Sequence, residues 1–158
     1  MFDVPILFYS LPFWMVPIAK IEVKKIPLLG LVMTAGGHIF VDRSNHEKAI
    51  LSMRNAKQQL LEGDKSIMLF PEGSRSKDGT IKPFKRAGLI IAIESEVPVV
   101  PIAIINSYKI HKKGTFFVER QNISVKIGKP IKAEGPKSKV KKEFPHFIRK
   151  KIVELYDT

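Results

Sequence analysis

The chain contains no cysteine, which removes a disulfide framework, a thiolate zinc site and a thiol nucleophile together and points to an intracellular address. Histidine is sparse as well. The four present, His38, His46, His111 and His146, include no i, i+4 pair, so no metal centre is expected. A Gly-x-Ser-x-Gly nucleophile elbow is absent, which argues against a serine acyl-enzyme. Basic stretches lack interleaved aromatics and any recognition motif, so no nucleic-acid partner is expected. A membrane-crossing run is lacking too. The uncharged stretch from Val4 to Ala19 has sixteen residues interrupted by Pro5, Pro12 and Pro17, whereas a spanning helix needs about 20 without such breaks. It has neither the basic start nor the small-residue cleavage site of a signal peptide. It is expected to pack in the core or to rest in a membrane interface.

What is present is the composition of an ordinary globular domain: 158 residues, 44% hydrophobic and 27% charged, long enough to bury a core. The net charge of +12 is uneven. Residues 1–107 carry 13 Lys and Arg against 10 Asp and Glu; residues 108–158 carry 14 against 5. A basic tail over about 132–158 raises the local concentration of anionic partners, among them phospholipid headgroups, coenzyme A phosphates, an acidic carrier protein or nucleic acid. Composition alone leaves these open beside a plain solvated face.

Periodicity predicts an alternation of short helices and strands. A helix is expected over Val4–Ser10, a strand over Phe13–Ala19, a short helix over Pro27–Met33 closed by Gly36 and Gly37, and a buried strand over His38–Val41. Ser44 and Glu47 have capping-box spacing ahead of an apolar stripe at Ala49/Ile50, Met53, Ala56 and Leu60/Leu61. A strand at Ile67–Phe70 delivers the chain into the polar turn Pro71–Arg75. A helix to about Glu94 follows, then strands at Val99–Ile104, Thr115–Val118 and Ile123–Ile127. Val140, Phe144, Phe147/Ile148, Ile152 and Leu155 mark a terminal helix that starts or kinks at Pro145. This order predicts an α/β fold in one domain spanning 1–158, a mixed sheet covered by helices.

One segment concentrates chemistry. Glu72-Gly73-Ser74-Arg75 sets an acid, a flexible residue, a hydroxyl and a guanidinium in four positions at a strand end, where open α/β sheets place ligand contacts. Gly73 permits a tight turn, and Arg75 offers a planar fork matched to two phosphate oxygens.

Four blocks in order resemble the glycerol-3-phosphate and lysophosphatidic acid acyltransferases. Phe70-Pro71-Glu72-Gly73-Ser74-Arg75-Ser76 is similar to that family's Phe-Pro-Glu-Gly-Thr-Arg-Ser, with serine keeping the hydroxyl of threonine. Gly37-His38-Ile39-Phe40-Val41-Asp42-Arg43 and Val97-Pro98-Val99-Val100-Pro101-Ile102 resemble the second and fourth blocks. Phe2-Asp3-Val4-Pro5 matches the end of the first, whose histidine, five residues before Asp3, would fall three residues upstream of Met1. The resemblance runs from residue 2 to about 130 and implies a glycerol-3-phosphate acyltransferase-like fold whose N-terminal part precedes this sequence. None of the four histidines here is followed by an Asp at the fifth position. His38 therefore reads as a strand residue and His46 as a surface position in the first turn of a helix.

The resemblance implies transfer of a fatty acyl group from acyl-coenzyme A or acyl carrier protein to 1-acylglycerol 3-phosphate (lysophosphatidic acid), giving phosphatidic acid in phospholipid biosynthesis. The acyl donor is a co-substrate, and no cofactor is expected. The motif histidine acts as general base and Asp3 holds its ring. Arg43 and Arg75, with Lys20 as a third contact, are expected to clamp the acceptor phosphate. Glu72 is expected to serve acceptor binding and to organise the turn, Gly73 to let backbone approach the acceptor, and Ser74 to supply the hydroxyl. Pro98 and Pro101 would shape the acyl-donor side or simply frame a strand. The alternative reading is an inactive remnant that binds anionic lipid or lysophosphatidate. Either way the protein is expected at the cytoplasmic face of a membrane, without a transmembrane helix in this chain.

Overall fold

The structure, a computed structural model, describes residues 2–42, 46–62, 66–74, 76, 78–110 and 118–158. The chain forms two compact units, residues 13–70 and residues 1–12 with 71–158.

The 13–70 unit is built on three parallel strands in the order β2-β1-β3. In β1, Met15–Lys20, the residues Met15, Val16 and Pro17 are all buried, the continuous apolar pattern of a strand covered on both faces. Its partner changes along its length. Met15–Pro17 align with Ser66–Met68 of β3, and Ile18–Lys20 align with Ile39–Val41 of β2. Pro17, which has no N–H for a ladder, stands at that changeover. A 3₁₀ turn over Ile21–Lys25 and the short helix α2, Leu29–Ala35, connect β1 to β2. The crossover from β2 to β3 is α3, His46–Leu61, which packs on both strands and sinks Ala56 completely. Ser44, the expected cap of α3, lies outside the described residues.

The second unit opens with α1, Asp3–Ser10. Pro5 is tolerated there because a first-turn N–H has no intrahelical partner to lose. After the 71–85 segment come α4, Arg86–Ser95, strand β4, Ile102–Ile105, the one-turn helix α5, Ser107–Ile110, and strand β5, Ser124–Ile127. Strands β4 and β5 pair antiparallel, from Ile102 opposite Ile127 to Ile105 opposite Ser124. The expected strand Val99–Ile104 is interrupted: Val99 bridges Ile131 through two backbone hydrogen bonds of 2.8 Å, and the ladder resumes only beyond Pro101, which has no N–H to give. Of the expected strand Thr115–Val118, residues 115–117 lie outside the described residues.

Most of the basic C-terminal stretch forms the expected terminal helix, α6, Lys137–Asp157. It packs on α4, β4 and β5. Val140, Phe144 and Ile148, spaced i, i+4, i+8, are buried, one stripe of a helical surface, while Phe147 faces outward, 45% exposed. Pro145 does not start the helix: eight helical residues precede it. The expected α/β class is present, with parallel pairing in one sheet and antiparallel pairing in the other. The apolar Val4–Ala19 run divides between the units, burying Leu7, Leu11, Met15 and Val16 and leaving Tyr9, Phe13 and Trp14 exposed.

Candidate active site

Residues 71–85 leave and return to one point: Lys85 N–H donates to the Pro71 carbonyl at 2.8 Å, closing a compact loop of the kind that carries function on many scaffolds. Gly73 takes φ +67°, a conformation that costs an L-residue about 1–2 kcal/mol. The side chain of Lys85 lies across the open face this glycine leaves, its Cε, Cδ and Nζ 3.0–3.1 Å from where a Cβ would sit. Beside it the half-buried Glu72 carboxylate accepts the backbone N–H of Lys82 at 2.9 Å. Lys82 Nζ donates to Ser74 Oγ at 3.2 Å. An acid, a hydroxyl and two ammonium-bearing side chains therefore converge on Glu72–Ser74.

The middle of the loop is held by its own polar groups. Asp78 accepts Ser76 Oγ at 2.9 Å, Thr80 N–H at 3.1 Å and Thr80 Oγ1 at 2.7 Å, while Gly79 N–H donates to Ser76 Oγ at 2.9 Å. The hydrogen bond from the Thr80 hydroxyl is the main reason that the exposed Asp78 carboxyl is pulled from 3.8 to about 2. Gly79, at φ +86°, is covered by the Tyr108 ring of α5. From α6, Arg149 reaches the same loop: Nε donates to the Lys82 carbonyl at 3.2 Å and a terminal nitrogen to the Ile81 carbonyl at 2.6 Å.

Of the residues singled out from sequence, Glu72, Gly73 and Ser74 stand together in this loop. Asp3 belongs to the same unit, half-buried at the first position of α1, where its charge complements the helix dipole. Lys20 is the exposed last residue of β1 in the 13–70 unit. Arg43 and Arg75 lie outside the described residues. The His38 ring packs against Gly36, which closes α2. Among the described residues no group of three His, Asp or Glu is placed to hold a metal ion. A cleft of about 550 Å³ runs along α1, lined by Pro5, Ile6, Tyr9, Ser10, Ile123 and Val125.

Sequence reading passed over Lys82, Lys85 and Arg149. The cluster Lys82-Pro83-Phe84-Lys85-Arg86 was a usable signal, since it closes a polar loop just ahead of a helix. Arg149 gave none, being 67 residues from Lys82.

Comparisons with known proteins converge. The acyltransferase family model matches residues 1–105. The 1-acyl-sn-glycerol-3-phosphate acyltransferase of Limnanthes douglasii is 40% identical over 126 residues, 77% of this chain and 45% of that protein. The human 1-acyl-sn-glycerol-3-phosphate acyltransferase alpha is 38% identical over 79% of this chain and 44% of its own length. This chain thus spans about half the length of the curated relatives it matches. The crystal structure of the 1-acyl-sn-glycerophosphate (LPA) acyltransferase from Thermotoga maritima superposes with a TM-score of 0.77 at 27% identity, covering 98% of this chain and 62% of that one.

Proposed function

Because the chain belongs to the acyltransferase family, we propose that it moves a fatty acyl group from an acyl thioester to the 2-hydroxyl of 1-acylglycerol 3-phosphate, yielding phosphatidic acid. The observation that carries this reading is the Glu72–Ser74 turn: its carboxylate is pinned on a backbone N–H while Lys82 and Lys85 supply positive charge beside it. Two flexible ammonium groups, one beside a hydroxyl and one lying across a glycine, suit a phosphomonoester such as the acceptor headgroup. Arg75 adjoins the same turn in sequence, and Arg43 and Lys20 are proposed as further phosphate contacts. The apolar cleft along α1 has the chemistry to take part of an acyl chain.

The reaction needs a base for the acceptor hydroxyl. In the family pattern that base is a histidine five residues before Asp3, with the Asp3 carboxylate steadying its imidazolium. As the proton passes to the imidazole, the hydroxyl oxygen attacks the thioester carbonyl and the C–S bond breaks. The thiolate leaves with the proton from the imidazolium, so no acyl-enzyme forms. Acyl-coenzyme A and acyl carrier protein both meet the requirement for a thioester donor.

Acceptor and product are lipids, and a membrane surface is proposed as the partner. Among the described residues no helix is long and apolar enough to cross a bilayer. The turn before α2 and the first residues of that helix instead present Leu28, Leu31 and Val32 to the outside beside the exposed Lys24 and Lys25. Apolar side chains flanked by lysines fit an anionic lipid interface.

Phosphatidic acid formed from lysophosphatidic acid and an acyl thioester is the expected result for protein that carries the motif histidine five residues before Asp3, and residues 1–158 alone should be slower by about 10²–10⁴ for want of that base. Binding of lysophosphatidic acid with no acyl transfer would favour the inactive lipid-binding alternative.

A further inference from the structure

We infer that Arg149 is a positioning residue for the acceptor, acting on Glu72 through the single peptide group between Ile81 and Lys82. The carbonyl of that peptide belongs to Ile81 and its N–H to Lys82. The guanidinium donates to the oxygen at 2.6 Å, and the N–H donates to the Glu72 carboxylate at 2.9 Å. A cation and an anion thus grip opposite ends of one amide. Each bond polarises the amide in the direction that strengthens the other, as in any hydrogen-bonded chain. The second arm of the guanidinium, Nε to the Lys82 carbonyl at 3.2 Å, fixes the next peptide as well. Pro83 then holds Lys82 to an extended conformation, because an α conformation there would clash with the proline ring. Lys82 is the residue whose Nζ reaches Ser74, so the brace sets both the carboxylate and one ammonium of the turn.

The geometry calls for arginine rather than lysine. Two successive carbonyls demand two diverging donors in fixed relation, which a guanidinium has and an ammonium lacks. Arg149 lies on α6, beyond the residues 1–105 that define the family match, and α6 is anchored by Val140, Phe144 and Ile148 on its buried stripe. The helix therefore brings a fixed point to a loop that is also held by its own hydrogen bonds and by Tyr108.

The inference rests on the acceptor role proposed for Glu72, and its test separates the two. Amide exchange at Lys82 reads the brace directly. In Arg149→Met, which keeps an apolar stem but no donor, protection of that amide falls about tenfold and KM for lysophosphatidic acid rises about tenfold with kcat nearly unchanged, roughly the worth of one charge-assisted hydrogen bond. Arg149→Lys restores part of both. In a Glu72→Gln background, Arg149→Met adds less than about twofold to KM, because the two residues act along one path. Unchanged Lys82 protection overturns the relay whatever the activity. Lost protection with an unchanged KM overturns the positioning role, and so do additive effects of the Glu72 and Arg149 substitutions. If the protein transfers no acyl group, Lys82 protection still decides the relay by itself, and only the proposed function has failed.

Discussion

The exposed apolar turn before α2 gives the sharpest test of membrane docking. Leu29 N–H donates to the Pro27 carbonyl at 2.7 Å, a three-residue γ-turn with Leu28 at its centre at φ 62° and ψ −52°. A bulky residue rarely adopts that conformation, and strain of this kind costs about 1–3 kcal/mol. Gly30 presses on the Lys24 carbonyl so closely that no Cβ fits, which locks the turn against the preceding 3₁₀ segment. Leu28 is left 75% exposed and Leu31 72%. Burying a leucine side chain fully is worth about 1.5–3 kcal/mol, so immersing the exposed three-quarters of each returns roughly 1–2 kcal/mol. Leu28→Gln with Leu31→Gln should then weaken binding to phosphatidylcholine/phosphatidylserine vesicles by about 30-fold or more. Lys24→Gln with Lys25→Gln, at about 1 kcal/mol per lysine near an anionic surface, should weaken it roughly 30-fold. Only the second loss should fade at high salt, where the screening length drops from about 10 Å at 0.1 M to about 3 Å at 1 M. Vesicle sedimentation measures both, and a Leu31→Trp reporter in a Trp14→Phe background should shift its emission to the blue on adding vesicles. Unchanged sedimentation of both pairs, or a reporter that stays wet, refutes the docking. So does a change of oligomeric state in the leucine pair with vesicle binding intact, which would assign the turn to a protein contact.

Three further outcomes follow from the loop. Gly79→Ala sets a Cβ 2.6 Å from the Tyr108 ring at a backbone φ of +86°; strain of about 2 kcal/mol should lower the melting temperature by roughly 4–8 °C, and a Tyr108→Ala background should recover only the steric share. Asp78 titrates at about 2 instead of 3.8. Because the folded value is the lower one, its contribution is complete above the ordinary carboxylate range and is lost as pH falls through about 2; carboxyl-carbon NMR should show this, and Thr80→Ala should move the midpoint upward. Lys85→Gln, which leaves the Pro71 bond to its backbone intact, should raise KM for lysophosphatidic acid by about tenfold and flatten its salt dependence. An unchanged KM removes Lys85 from the acceptor site.

Local chemistry made some of this legible in the sequence. The helix α3 announces itself through a 3.6-residue stripe, and the Glu72–Ser74 turn through glycine and polar residues at a strand end. Contacts made at a distance were hidden. Pro27–Met33 reads as a short apolar helix, yet its sequence says only that side chains are apolar and not whether anything covers them. Gly30 pressed on Lys24 decides that, and the γ-turn at Leu28 delays the helix to Leu29. Pro145 looked like a start or a kink because proline forfeits one helical hydrogen bond; the burial of Val140 and Phe144 ahead of it outweighs that single loss and carries α6 through.

The candidate site follows the same division. A carboxylate, a glycine and a hydroxyl in consecutive positions mark a candidate ligand-binding turn, but they do not determine its shape, since Gly73 permits many conformations and Glu72 many rotamers. Shape comes from what closes the loop: the Pro71–Lys85 bond, Tyr108 over Gly79, and the Arg149 fork on two carbonyls. The first closes the loop on itself, whereas Tyr108 and Arg149 are brought to it by α5 and α6. On the proposed relay, the residues that carry the family resemblance are held by a helix beyond residues 1–105. A change at the buried face of α6, such as Ile148→Ala next to Arg149, should be felt at the turn as well as in the core. Its expected cost is about 2–5 kcal/mol in stability together with a raised acceptor KM. A loss of stability with KM for lysophosphatidic acid intact would show that the turn keeps its shape without the helix.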